Sequence, residues 1–373
     1  MSYKWIGNFI STMKPVVKIG CSAVLSEEAD EAIHGLHISQ AVALAVEQAN
    51  SRGDLPFVVE LLLGDDKAQP EAAIAVAQRF IADPRVLGVV GTMNSHTSLA
   101  TAPLYHQANL AQISPAASNP TLTQHVYSTF FRVVPHDSVQ GQEAAKYAIQ
   151  ILGAQRIGII HDSTAFGEPL AQIFKQTCEV LGTRPILYLS IQRGQIDFTK
   201  LAAEVAATEP DLIFFGVIEA EGRHLAAQLR QAGVRAIFFG TDGLKPSLFL
   251  TTPAYKVEGP YHTSASIDIR VKPVAAMFAQ TYLARYGELY SIYTAEAYDA
   301  ANILIAACAR VATLDRPAVL AEVARISNFP GASGSITFDE HGDRMNPEIG
   351  IYRVTDQVPV FLGTTNELLA QAV

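Results

Sequence analysis

Four short stretches hold the residue types best suited to chemistry. They are Thr92-Met93-Asn94-Ser95-His96-Thr97-Ser98, Ser114-Pro115-Ala116-Ala117-Ser118, Asp162-Ser163-Thr164-Ala165-Phe166-Gly167-Glu168 and Thr241-Asp242-Gly243. Each follows a short apolar run: VLGVVG, LAQI, RIGIIH and AIFFG respectively. The first opens directly into a helical stretch. Free N–H groups at a helix start, flanked by Ser and Thr hydroxyls, make a seat for a carboxylate. Asp242 offers the opposite charge. Hydroxyls and N–H groups on one side and an acid on the other suit a zwitterion. The same residue types also cap helices, and Asp242 also fits a turn. The binding reading gains weight because several such loops fall at matching strand ends.

Reactive constellations are missing from the pattern. The loop after the first apolar run reads Gly20-Cys21-Ser22-Ala23-Val24, not GxGxxG, and no GxxxxGK[ST] phosphate loop occurs. There is no GxSxG nucleophile elbow. Among the 10 His residues none forms HExxH; His34 and His37 share a helix face but lack a placed acidic partner. Asp65-Asp66 reads as an acidic turn, with a Mg²⁺ ligand pair as the alternative. Cys21, Cys178 and Cys308 are too scattered for a disulfide framework or metal site and read as small buried hydrophobes.

The elements that must position these loops alternate along the chain. Strands are expected at 16–20, 57–63, 86–91 and 110–113, with helices at 38–50, from Pro70 onward, and at 99–108. In 38–50 the apolar positions Ile38, Ala41, Val42, Ala45, Val46 and Ala49 follow helical spacing. A second run follows Asp137: helices at 138–152, 166–181, 198–208 and 220–232 separate strands at 156–161, 185–190, 212–216 and 236–240. Strands separated by helices form parallel βαβ units. Strands apolar throughout, such as IGII and LIFFG, fit a sheet covered on both faces. Ligands of such sheets sit at the carboxyl ends of the strands. Two runs imply two similar α/β lobes. Helices at 273–286 and 294–312, a third helix and the β-like tail SITFDEHGDRMNPEIGIYRV then suggest a chain crossing back between them.

Length and charge agree. A chain of 373 residues exceeds one ordinary core, so two domains are expected. The net charge of −9 argues against a nucleic-acid partner and against docking on anionic lipid. No apolar run approaches the roughly 20 residues that span a bilayer. The opening MSYKWIGNFISTMKPVVKIG does not read as a secretory signal, leaving either a cytoplasmic protein or a numbering that begins after a removed leader.

Read in order, the motifs LAVEQANSRGD, LLLGDDKAQPEAAIAVAQRFIAD, VVGTMNSHTSLATAPLYHQANLAQISPAASNPTLT, FFRVVPHDSVQGQEAAKY, RIGIIHDSTAFGEPLAQ, DLIFFGVIEAEGRHLAAQLRQAG, FFGTDGL and ITFDEHGD cover roughly 16–355. Over that span the chain resembles the type I periplasmic binding proteins, in particular the leucine/isoleucine/valine-binding branch of ABC-transporter receptors. The resemblance implies an α/β fold of two Rossmann-like lobes joined by a three-stranded hinge, with crossovers near 131–136, 258–263 and 339–342. The lobes would be 16–133 plus 263–339 and 134–262 plus 340–373, with 1–15 an extension.

It also implies a site. Ser95 would hold a ligand carboxylate, together with the loop of Ala116, Ala117 and Ser118, through the Ala116 carbonyl and the Ser118 N–H and hydroxyl. Asp242 would pair with a ligand ammonium. Phe166 would cover the ligand where branched-chain binders usually carry Tyr. Ile218 replaces an aromatic wall, and Glu219 adds a second acid; an aliphatic ligand is expected if Glu219 faces outward and a polar or basic one if it faces inward. Segment Ser22–Gly35 is longer than in those relatives, and Lys67 and Asn94 stand near the places of a cysteine pair found in some members. No enzyme activity, cofactor or metal is implied. The expected partners are a small amino-acid-like ligand and a membrane permease, in an extracytoplasmic setting and without direct membrane insertion. A sensory ligand-binding domain and, less favoured, an α/β enzyme are the competing readings.

Overall fold

The computed structural model describes residues 14–26, 31–124, 127–164, 166–244, 259–288, 291–356 and 358–371, with the backbone alone at Glu219 and Ala220. The extension 1–15 lies outside these residues except for Lys14 and Pro15, and the Ser22–Gly35 segment is described in part.

The first lobe is built on β1 (Val16–Ala23), α1 (Ala32–Arg52), β2 (Val58–Asp65), α2 (Pro70–Ala82), β3 (Val86–Val90), α3 (Ser95–Gln107), β4 (Ala111–Ser114), the short α4 (Thr121–Gln124) and β5 (Phe130–Arg132). Its sheet runs β2-β1-β3-β4-β5, all parallel. Pro70 begins α2, where its missing N–H costs nothing, and Gly53 closes α1 in the left-handed conformation. Strand order reverses between β1 and β3, which opens a crevice at their carboxyl ends.

The second lobe contains α5 (Asp137–Lys146), which continues through a π-helical turn at Tyr147–Ile151, then β6 (Ile157–His161), α6 (Gly167–Val180), β7 (Leu187–Ser190), α7 (Thr199–Ala207), β8 (Leu212–Gly216), α8 (Glu219–Gln231), β9 (Ile237–Gly240) and β10 (Tyr261–Ser264). The chain then returns to the first lobe with α9 (Ala276–Tyr286), α10 (Thr294–Arg310), α11 (Arg316–Ala324) and a hairpin of β11 (Phe329–Gly331) and β12 (Gly334–Ile336). It ends in the second lobe with β13 (Gly350–Thr355), β14 (Val358–Thr364) and α12 (Thr365–Gln371). The second sheet runs β14-β13-β10-β9-β8-β6-β7 and is parallel from β7 to β10, with β13 and β14 antiparallel. Its order reverses between β6 and β8.

Helix α10 belongs to the first core. Its Ala297, Ala300, Ala301 and Leu304 are buried with β1 and α1. A Cβ on Gly88 would stand 2.4 Å from Leu304 Cδ2, so β3 needs glycine where α10 crosses it. The chain therefore passes between the sheets three times, after β5, after β10 and before β13. The middle passage follows 261–264, because β10 is a strand of the second sheet. Two helices start earlier than their apolar periodicity predicts: α1 at Ala32 and α3 at Ser95. In α3 the first turn is polar, and no apolar face marks it.

Candidate functional site

Both strand-order reversals point their loops into one region. On the first-lobe side the loop Ser114–Asn119 is wired peptide by peptide. The buried Ser114 hydroxyl donates to the Thr92 carbonyl (2.7 Å) and accepts the N–H groups of Ala117 (2.8 Å) and Ala116 (3.2 Å). Arg132, at the end of β5 and fully buried, donates from Nη1 to the carbonyls of Ala117 (3.1 Å) and Asn119 (2.9 Å). The Asp137 N–H donates to the Ser118 carbonyl (2.8 Å), and the Asn119 N–H to Ser95 Oγ (3.3 Å).

A trans peptide holds its C=O and N–H on opposite sides. Tying the Ala117 N–H to Ser114 therefore turns the Ala116 carbonyl away from Ser114. Tying the Ala117 carbonyl to Arg132 turns the Ser118 N–H away from Arg132. Neither the Ala116 carbonyl nor the Ser118 N–H has a partner among the described residues. Buried backbone groups are nearly always paired, so these two are set for something from outside the chain. Ser95 opens the first turn of α3 beside them, held near the surface of a hydroxyl cluster in which Thr97 donates to Thr92 (2.7 Å) and Thr92 and Ser98 share a bond of 2.7 Å.

On the second-lobe side, Asp242 follows β9 and is buried. Its Oδ1 accepts from Gln140 Nε2 (3.1 Å), and its Oδ2 from the Ala265 N–H (3.2 Å) and the Tyr293 hydroxyl (3.0 Å). Burial raises its pKa, and these donors oppose the rise. Gly243, the next residue, is the meeting point of three loops: a Cβ there would lie 2.6 Å from Phe166 Cε1 and 3.1 Å from the Val217 carbonyl. Phe166 and the Val217–Ile218 peptide thus come beside Gly243, the residue after Asp242. The half-buried Ile218 precedes α8, and its N–H donates to Asp162 Oδ2 (3.1 Å). The Glu219 side chain lies outside the described residues.

The two sides are joined through α5. Asp137, at its start, touches Ser118, and Gln140, one turn on, holds Asp242 and Thr263 Oγ1 (3.0 Å). Burial pushes the Asp137 carboxyl up to about 7, the Asp242 charge adds to this, and the Ser118 side chain and Arg132 oppose it. The arrangement sets a free N–H and a free carbonyl opposite a buried carboxylate. It can hold a carboxylate and an ammonium at once. Among the described residues no group of three or more His, Cys, Asp or Glu could hold a metal. Asp65 and Asp66 are occupied as turn acceptors, from Leu25, Lys67 and Ala68 N–H groups and the Ser22 hydroxyl.

Arg132, Asp137, Gln140 and Tyr293 escape the sequence reading. Arg132 ends an apolar strand, Gln140 sits on an amphipathic helix, and Tyr293 is one of 13 tyrosines. The left-handed backbone of Tyr293 (φ 66°) at the start of α10 has no sequence signal of its own.

Two α/β lobes with facing strand-end loops and three chain passages define a class of bilobed ligand-binding proteins. The chain belongs to the periplasmic binding protein family, whose profile matches residues 16–358. It is similar to an amino acid binding protein of Pseudomonas aeruginosa, 28% identical over 84% of each chain. It is also similar to Leu/Ile/Val-binding protein homolog 2 of Brucella abortus, 29% identical over 88% of this chain and 87% of the relative. Among solved structures it superposes on the leucine-binding protein LivK of Thermotoga maritima with a TM-score of 0.83 and 27% identity, covering 93% of this chain and 98% of that one.

Proposed function

We propose that the chain is the extracytoplasmic substrate-binding component of an ABC transporter, binding a small aliphatic amino acid between its lobes and handing it to a membrane permease without turning it over. The carrying observation is the opposition of the unpaired Ala116 carbonyl and Ser118 N–H to the buried Asp242 carboxylate. The ligand carboxylate sits on Ser118 and Ser95 with the first turn of α3. The ammonium lies between Asp242 and the Ala116 carbonyl. Phe166 and Ile218 wall the side chain. The relatives' names, amino acid binding protein, Leu/Ile/Val-binding protein homolog and leucine-binding protein, support this class of ligand.

Each lobe carries half of the polar partners, so the ligand gains its full set of contacts only when the lobes close on it. The three passages serve as the hinge, in the motion periplasmic binding proteins make. The lobes of the proposal are 16–133 with the returning helices, and 134–264 with the tail from 340.

A thermal-shift screen of the twenty amino acids tests the reading. A ligand at a hundred times its dissociation constant adds about 2.7 kcal/mol of stability. Leucine, isoleucine or valine should raise Tm the most. Stabilisation by none of the twenty overturns the proposal, and loss of bound amino acid mass on incubation would overturn the non-enzymatic part.

A further inference from the structure

We infer that Arg132 and Asp343 form a positioning pair, which aims the Ser118 N–H at the ligand and ties that aim to the hinge; the inference rests on the functional reading above. Arg132 is fully buried, and its guanidinium contacts four groups in the chain. Nη1 takes the carbonyls of Ala117 and Asn119, Nη2 donates to Thr123 Oγ1 (2.7 Å), and Nε forms an ion pair with Asp343 Oδ1 (2.6 Å). Asp343 in turn accepts the Thr123 hydroxyl (2.8 Å) through Oδ2.

A charge of this depth needs a function or a full set of partners. Its partners here are not core groups but the two carbonyls that set the direction of the ligand loop. The planar guanidinium offers N–H groups at fixed angles, so it dictates where those carbonyls lie. Through peptide planarity the Ala117 carbonyl fixes the Ser118 N–H.

The other end of the pair lies on the chain passages. The Arg132 N–H donates to the Gly342 carbonyl (3.0 Å), so the first and third passages are laced together at this point. Arg344, the residue after Asp343, reaches back with Nη1 to the Val133 carbonyl (2.9 Å) and to Ser333 Oγ (3.1 Å). Reciprocal arginines thus bind the two passages, and one of them also holds the ligand loop. A shift of the third passage on closure moves Asp343 and, through Arg132, the peptide that meets the ligand.

The test uses the full chain labelled with ¹⁵N-serine and L-leucine as the probe. In the wild type the Ser118 N–H signal should move on leucine binding. Arg132→Lys keeps a positive charge but, with a single nitrogen, cannot hold the two carbonyls, Thr123 and Asp343 together, and Asp343→Asn removes the anchor and leaves the arginine. Both should fold, bind leucine at least tenfold more weakly, and show less than half of the wild-type Ser118 shift. Leucine affinity within twofold of wild type in both variants overturns the inference. So does weakened binding with the full Ser118 shift, because that is what general loosening produces. Should neither variant fold, the wild-type spectrum still decides, since a Ser118 signal unmoved by leucine overturns the role. A wild type that binds no amino acid overturns the functional reading and this inference together, whereas a leucine-binding wild type with an unmoved Ser118 overturns this inference alone.

Discussion

The two walls of the site solve opposite halves of one problem by different means. The first-lobe wall presents main-chain groups and hydroxyls, each aimed by a neutral partner or by the guanidinium behind it, and it carries no net charge toward the ligand. The second-lobe wall presents one whole carboxylate, Asp242, buried and held by three donors. Dipoles fixed by the backbone lose little when one side chain is truncated, because the N–H and C=O groups remain. A buried charge has no such reserve. The walls should therefore respond to mutation and to pH very differently.

The largest effect should come from Asp242→Asn. A ligand ammonium left facing a neutral amide in a closed cleft loses on the order of 3 kcal/mol, more than a hundredfold in affinity. The loop lies at a strand end, so Tm of the unliganded protein should change little. Calorimetric affinity within threefold of wild type would remove Asp242 from the site and with it the contrast between the walls.

Tyr293→Phe comes next. Its hydroxyl is a donor at any accessible pH, since burial and Asp242 together raise its pKa well above the ordinary tyrosine value. Losing it should weaken binding by about 1.5 kcal/mol, roughly tenfold. It also removes one of the donors that oppose the raised pKa of Asp242. An ammonium pairs with the ionised acid, so affinity should rise with pH above the ordinary carboxylate range, and in the variant that rise should move to higher pH. Calorimetry across pH reads both, and an unmoved profile would detach Tyr293 from Asp242.

Ser95→Ala and Ser118→Ala should each cost about 1 kcal/mol, less than the change at Asp242 or at Tyr293. Isothermal titration of both variants sharpens the comparison: losses as large as that of Asp242→Asn would mean that the hydroxyls, and not the backbone, carry the first wall.

Much of this was legible in the chain and some was not. The alternation of apolar runs and amphipathic stretches gives the parallel strands of both sheets, and the strand-end rule leads to Asp242 and to the loops within which the family resemblance singles out Ser95, Ala116 and Ser118. These signals are local. Tyr293 and Gln140 are not legible because they reach Asp242 across 51 and 102 residues, from a returning helix and from the start of the second lobe. Arg132 stands in the sequence merely as a charged residue after Phe130 and Phe131, and only the three-dimensional course of the Ser114–Asn119 loop shows two carbonyls converging on it. The middle passage follows β10 for a similar reason: Tyr261–Ser264 is too short to carry a period of its own, and its register is set by pairing with β9 and β13.

The last expected effect is on stability and not on affinity, at the joint between the walls. Burial holds the Asp137 carboxyl at about 7 in the folded protein, against an ordinary value of 3.8. The fold therefore keeps a proton that the unfolded chain gives up earlier. At pH values below both, folded and unfolded chains are equally protonated and Asp137 carries no penalty. As pH climbs from about 4 the unfolded chain ionises first and gains, so the contribution of Asp137 to stability falls until the folded carboxyl has ionised as well, above 7. Asp137→Asn has no such dependence. The Tm of the variant should therefore rise relative to that of wild type as pH is raised from below 4 to 8, the ionised acid in the first turn of α5 offsetting part of the difference. At pH 3, below both values, the two proteins should melt most nearly together. A difference in Tm between Asp137→Asn and wild type that stays constant from pH 4.5 to pH 8 would show that the acid is ionised throughout, with Arg132 and Ser118 outweighing its burial beside Asp242.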